Sequence, residues 1–182
     1  MSVVVFDEME TFEHSKCKPI SIAVDVEEGS RRIIDLKTAS MPAKGHLAKI
    51  ARKKYGPRRD DRSKALYELL SRVKSVARAD VTLKSDEAPR YPRPVKALFP
   101  HSSHQRFKGR RGCVVGQGEL KAGGWDPLFS LNHTCAMIRD NLKRLSRRTW
   151  CTTKKTERLQ QLLNLYICYH NERIELSRKR LV

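Results

Sequence analysis

The chain opens on an unbroken apolar run, Val3-Val4-Val5-Phe6, that ends at Asp7. A run without polar interruption predicts a central strand buried on both faces. Ile20, Ile22, Val24 and Val26 then alternate with Ser21, Ala23 and Asp25, the period of a half-buried strand. Glu28-Gly29-Ser30 supplies a turn, and Ile33, Ile34 and Leu36 follow it, so three strands on short connections predict an antiparallel meander. Residues 44–55 read as a basic helix stopped by Gly56-Pro57. Beyond Asp60-Asp61, the positions Leu66, Leu69, Leu70, Val73, Val76 and Ala77 recur at helical spacing. That helix leads into a fourth strand, Val81-Thr82-Leu83-Lys84-Ser85-Asp86, and a helix followed by a strand predicts a crossover.

Prolines 89, 92, 94 and 100 exclude long regular structure after Asp86 and leave room for one helical turn at 95–99. Residues 107–115 predict a fifth strand broken by Gly109 and Gly112, followed by a hinge rich in glycine at 116–124. Gly116-Gln117-Gly118 lacks the lysine and spacing of a phosphate-binding loop. Asp126-Pro127 has the form of a helix start, with an acidic cap and proline in the first turn. Leu131, Cys135, Ile138, Leu142 and Leu145 then make one apolar stripe. Thr152-Thr153 predicts the cap of a last helix carrying Leu159, Leu162, Leu163, Tyr166, Ile167, His170 and Ile174, with His170 as a core histidine.

At 182 residues and 39% hydrophobic content the chain is long enough for one cored domain with a helical extension. Charge changes the picture more. The 38 Lys and Arg against 20 Asp and Glu give a net charge of +18, which points to a polyanionic partner, nucleic acid before a membrane surface. No apolar run reaches the roughly 18 residues of a spanning helix, and the first residues lack a signal-peptide pattern, so the expectation is a soluble intracellular protein. Five cysteines without a CxxC pair predict reduced thiols. His14-x-x-Cys17, His101-x-x-His104 and His133-x-Cys135 have no second pair at zinc-finger spacing and read as ordinary residues.

The charge is also unevenly placed. Residues 1–30 hold seven acids against Lys16 and Lys18, whereas residues 44–64 hold nine bases and residues 138–158 eight, each against two acids. Within that basic chain, two hydrophobic strands end on the aspartates Asp7 and Asp86. Clustered carboxylates repel a polyanion unless a divalent cation lies between them, which makes metal-dependent chemistry on nucleic acid the leading expectation. The plainer alternative is a pair of solvated turn aspartates.

The order of elements, with Asp on the first and fourth strands, resembles the ribonuclease H-like fold of DDE transposases and retroviral-type integrases. Two stretches are more specific: Val3-Val-Val-Phe-Asp7-Glu-Met-Glu-Thr-Phe12, and Asn132-His-Thr followed by Arg139-Asp-Asn-Leu-x-Arg144-Leu-x-Arg147-Arg148-Thr149-Trp150. Over residues 3–172 the chain is similar to transposases of bacterial insertion sequences in the insertion-sequence-one class. The resemblance implies an α/β, ribonuclease H-like mixed five-stranded sheet flanked by helices over residues 1–150. Residues 151–182 would form a C-terminal helix packed on it or extending from it. It further implies a DNA transposase catalytic domain that uses Mg²⁺, with Mn²⁺ as substitute and two ions in the site. Asp7 would touch both ions and Asp86 one, with Asn132 at the third catalytic position. Arg139, Lys143, Arg144, Arg147 and Arg148 would bind DNA phosphates. The implied partners are double-stranded DNA and, on DNA, a second copy, in a prokaryotic cytoplasm at the nucleoid.

Two departures accompany the resemblance. The class carries an acid where this chain has Asn132, and Glu119 is the rival third residue, 33 positions after Asp86. Relatives also carry a zinc ribbon or helix-turn-helix before the first catalytic strand, so the chain reads as a truncated or split frame whose DNA binding is mostly electrostatic. A catalytically inactive DNA-binding remnant or regulator of transposition is the alternative function. An RNA-binding protein of ribosomal type is a more remote one.

Overall fold

The computed structural model describes residues 1–108, 125–146 and 149–179. Three strands, β1 (Val3–Phe12), β2 (Pro19–Glu27) and β3 (Ile33–Ser40), form the antiparallel meander that the apolar runs predict. The basic helix α1 (Leu47–Tyr55) and the amphipathic helix α2 (Arg62–Val76) carry the chain to β4 (Thr82–Asp86), which pairs with β1 in parallel. A short helix α3 (Pro92–Leu98) leads to β5 (His104–Phe107), parallel to β4. The result is one mixed five-stranded sheet in the order β3-β2-β1-β4-β5, flanked by helices. Helices α4 (Phe129–Asn141) and α5 (Thr156–Lys179) complete the described chain.

Two hydrophobic layers hold the sheet. Val5 and Met9 of β1, with Ile20, Ile22, Val24 and Val26 of β2, pack beneath Leu131, Ile138, Leu145, Leu159, Leu163 and Tyr166. Val4, Phe6 and Ala23 pack on the other face against Leu66, Leu69, Leu70 and Val73 of α2 and Tyr91, Val95 and Leu98 around α3. The alternation of β2 had suggested one solvated face. Instead Ser21, Ala23 and Asp25 are all buried, because that face too lies beneath helical elements. Asp25 has no exposure; its Oδ1 accepts the Asp35 N–H at 2.6 Å, and burial pushes its carboxyl well above the usual range.

Several boundaries differ from the sequence expectation for identifiable reasons. The fifth strand starts at His104 and is described only as far as Phe107; its alternation is too polar to stand out because β5 is an outer strand. Helix α3 runs for seven residues, since Pro92 and Pro94 lie in its first turn, where a missing N–H leaves no intrahelical bond unmade. Asp126 accepts the Leu128 N–H at 3.0 Å and so closes the turn before α4, which begins at Phe129. Leu142 and Leu145 lie past the end of that helix, Leu145 in a 3₁₀ turn, yet both join the same core. Thr153 does not cap α5; it forms a parallel bridge with Glu13.

The outer edge of β3 is closed by side chains of α5. Gln160 donates to the Leu36 carbonyl at 2.7 Å and accepts from the Thr38 N–H at 2.8 Å. Asn171 likewise donates to the Ile33 carbonyl at 2.8 Å and accepts its N–H at 2.9 Å. An open edge offers unpaired donors and acceptors to other chains, and these two amides occupy four of them. Gln160→Ala and Asn171→Ala should therefore each lower stability by about 1 kcal/mol. The double variant should lose the sum, since the two sites share no partner. Urea denaturation of the three variants checks this, and a double variant as stable as the parent contradicts it.

Candidate active site

The parallel register Val3↔Thr82, Val4↔Leu83, Val5↔Lys84 brings Asp7 opposite Asp86 two residues further on. Paired strands run about 4.8 Å apart, so the two side chains are neighbours. They also share a face. Val5 and Met9 bracket Asp7 on the side covered by α4 and α5, while Leu83 points to the opposite layer, which leaves Lys84 and Asp86 on the side of Asp7. Asp7 is half-buried, and this loss of water, followed by the charge of Asp86, raises its carboxyl from 3.8 to about 6. Among the described residues neither aspartate has a cationic partner.

The other acids in β1, and Glu13 just past it, are neutralised. Glu8 is held by both arms of Arg90, Glu10 by Lys44 at 2.8 Å and Glu13 by Arg58 at 3.2 Å. Glu28 pairs with Lys84 at 2.7 Å. The acid-rich start of the sequence is thus largely ion-paired along the central strand and at its end, and the Asp7–Asp86 pair stands apart from it.

The pair is held from beneath by an aromatic trio. The Tyr91 and His104 rings lie 5.0 Å and 5.7 Å from that of Phe6. The Tyr91 hydroxyl donates to Asp7 Oδ1 at 2.8 Å, and the same oxygen accepts the Glu8 N–H at 2.6 Å. Ser85 Oγ donates to the Asp86 carbonyl at 2.7 Å and lies 2.9 Å from His104 Nε2. Since the serine hydrogen is committed, His104 donates from Nε2; burial and the Arg106 charge lower its pKa and favour that neutral form. Asp86 Oδ1 accepts the Ala88 N–H at 2.9 Å. None of these supports was visible in the sequence: Tyr91 lies in a proline-rich stretch without periodicity, and His104 stood out only as half of an unsupported zinc pair.

Asn132 lies in the first turn of α4, half-buried, and its amide donates to Asp126 Oδ2 at 3.0 Å. It makes no hydrogen bond to Asp7 or Asp86. The start of α4 is tied to the β2–β3 turn, where Ser130 Oγ accepts the Gly29 N–H at 3.1 Å and Arg31 contacts the His133 ring at 3.1 Å. Arg139 is half-buried and Lys143 and Arg144 are exposed, while Glu119, Arg147 and Arg148 lie outside the described residues. No group of three or more His, Cys, Asp or Glu side chains among the described residues gathers as a metal cage.

The basic segments reach the sheet end where β4 stops. β1 and β3 both run antiparallel to β2, so Phe12 and Ser40 finish at one end, and the Asp61 N–H donates to the Ser40 carbonyl at 2.9 Å. Thr153 is bridged to Glu13 there, with Lys154 and Lys155 exposed behind it, and α1 exposes Lys49, Arg52, Lys53 and Lys54. No helix among the described residues is long and apolar enough to cross a membrane. No protein-family model matches the chain, and no curated protein matches it.

Mg²⁺ takes hard oxygen ligands and is commonly held by one or two carboxylates together with substrate phosphate, a donor set that Asp7 and Asp86 fit. Without a cation, like charge and desolvation oppose ionisation of Asp7. A carboxyl whose folded pKa is raised contributes stability that is complete below its unfolded value and is lost as pH rises, here through about 6. Asp7→Asn removes that loss. In metal-free buffer the variant should gain on the parent as pH rises from 4 to 8, by up to about 3 kcal/mol. Urea midpoints across that range test this; parallel curves for the two proteins would refute it.

Proposed function

We propose that the chain is the catalytic domain of a DNA transposase of the DDE type, with a ribonuclease H-like fold of the insertion-sequence-one-like class. Its activity would be divalent-metal-dependent phosphodiester cleavage and strand transfer on double-stranded DNA. One observation carries the reading. Asp7 and Asp86 lie side by side without a cation, at the sheet end where the basic segments gather, while the neighbouring acids of β1 are ion-paired. The sheet order and the parallel β1–β4 pairing support the fold assignment.

In this mechanism Asp7 and Asp86 would hold the metal, and the amide oxygen of Asn132 would serve as a neutral third donor. When bound, the cation would supply Lewis acidity at the scissile phosphate and would lower the pKa of an attacking water or DNA 3′-hydroxyl. The protein's part is positional. The Phe6, Tyr91 and His104 unit keeps the carboxylates in place, and the ion pairs of Glu8, Glu10 and Glu13 reduce repulsion of the phosphate backbone. Arg139, Lys143, Arg144, Arg147 and Arg148 contact phosphates, and two copies meet on DNA. A second reading, a DNA-binding remnant that does not cut, is favoured by the neutral Asn132 and by its tie to Asp126.

The two readings part in a nicking assay on supercoiled DNA with Mg²⁺ or Mn²⁺. The enzyme should cleave, Asp7→Ala should fall to background while still binding duplex, and Asn132→Glu should tighten Mn²⁺ binding. A parent that binds duplex but never nicks it with either ion is the remnant.

DNA affinity should fall with salt along a log–log slope of roughly −0.9 per neutralised phosphate. Replacing both Lys143 and Arg144 with Ala should make that slope shallower by about 2. An unchanged slope would mean that these side chains are only solvated.

A further inference from the structure

Resting on that metal-binding reading, we propose that Tyr91 is a positioning residue for Asp7. Its hydroxyl engages Oδ1, so that a divalent cation meets the carboxylate through Oδ2 alone. A carboxylate oxygen has two lone-pair directions, and both of those on Oδ1 are used, by the Glu8 N–H at 2.6 Å and the Tyr91 hydroxyl at 2.8 Å. No described residue donates to Oδ2. The donor itself is buried and packed. Tyr91 has no exposed surface, its ring is tilted against Phe6, and the Arg90 guanidinium lies 5.4 Å from the ring centre while bound to Glu8.

Packing alone does not explain the hydroxyl. The Tyr91 ring lies among Val4, Phe6, Leu83 and Val95, where phenylalanine would serve equally, and a buried phenol needs an acceptor. The acceptor it has is the carboxylate beside Asp86. Fixing one oxygen also selects the ion. Mg²⁺ demands octahedral geometry and accepts carboxylates through single oxygens, whereas Ca²⁺ readily takes both oxygens of one carboxylate. A carboxylate with Oδ1 already engaged favours the smaller ion. Use of both Asp7 oxygens by metal would require the Tyr91 hydroxyl to let go.

Tyr91→Phe tests this, because it keeps the ring and removes only the donor. Mg²⁺ and Ca²⁺ are titrated calorimetrically into the full chain holding a short DNA duplex, with the duplex alone as blank. The variant should bind Mg²⁺ about tenfold more weakly, the usual scale for loss of a group that orients a metal ligand. Ca²⁺ should bind as tightly as before or more tightly, so the Mg²⁺/Ca²⁺ preference falls about tenfold. A merely structural loosening would weaken both ions alike, and that result, or no change in either, overturns the assignment. A second measurement needs no variant of Tyr91. The infrared carboxylate splitting that appears in the parent on Mg²⁺ addition, and is missing in Asp7→Asn, should be that of a one-oxygen ligand. A two-oxygen splitting overturns the assignment as well. A parent that binds neither ion beside DNA overturns the metal reading itself, an outcome distinct from an unaltered ion preference in Tyr91→Phe.

Discussion

Two carboxylates of like charge, set opposite each other on adjacent parallel strands and partly withdrawn from water, are the constraint around which this chain is arranged. Parallel pairing of β1 with β4 requires a crossover, and α2 provides it while covering the face opposite Asp7 with Leu66, Leu69, Leu70 and Val73. That cover in turn creates the dry layer in which Phe6, Tyr91 and His104 support the aspartates. The arrangement opposes its own ionisation, as the raised carboxyl of Asp7 records. Local repulsion of this kind persists where the surrounding structure over-determines it, and such sites are where function is expected.

The parts of the fold that were legible in the sequence are those decided by local apolar pattern. Val3 to Phe6 reads as a buried central strand and is one; the three-strand meander, α2 and the strand ending at Asp86 follow the same logic. What escaped depends on partners distant in the chain. The half-buried reading of β2 failed because alternation reports side-chain type, not whether a helix will cover the second face, so Asp25 gave no sign of its burial. The closure of β3 by Gln160 and Asn171 joins residues more than 120 positions apart. For the candidate site, Asp7 was legible because it follows the apolar run Val3–Phe6, although it lies inside β1, which continues to Phe12, rather than at its end; Asp86 does end its strand. Tyr91 was not legible, since its bond to Asp7 spans 84 positions and no spacing announces it.

Charge distribution shows the same division. The sequence reads as an acidic start followed by basic segments, which suggests an acidic edge flanked by basic arms. In the folded chain the first arm reaches back through Lys44 and Arg58 to Glu10 and Glu13, while Lys84 of β4 and Arg90 beyond it neutralise Glu28 and Glu8. Of these only the Lys44–Glu10 pair is well exposed and so contributes little to stability; the other three are partly buried. Their effect is on the field, because the chain keeps its net charge of +18 while, among the described residues, Asp7 and Asp86, like the exposed Glu87 beside them, have no cationic partner.

The same electrostatics bears on the third position of the proposed site. A third ionised acid beside Asp7 and Asp86 would raise further a carboxyl already lifted to about 6 by burial and one like-charged neighbour. Asn132 brings no charge; the start of α4 is tied to the β2–β3 turn, at the other end of the sheet from where β4 stops, and Asp126 there engages the Asn132 amide and the Leu128 N–H. Two acids are therefore easier to hold ionised than three, but they offset only part of the charge of a divalent pair. In the proposed function such a site would grip its cation weakly until a DNA phosphate arrived as a further anionic ligand. Metal and substrate binding become mutually dependent, and the neutral third residue would favour assembly on DNA over metal loading in its absence.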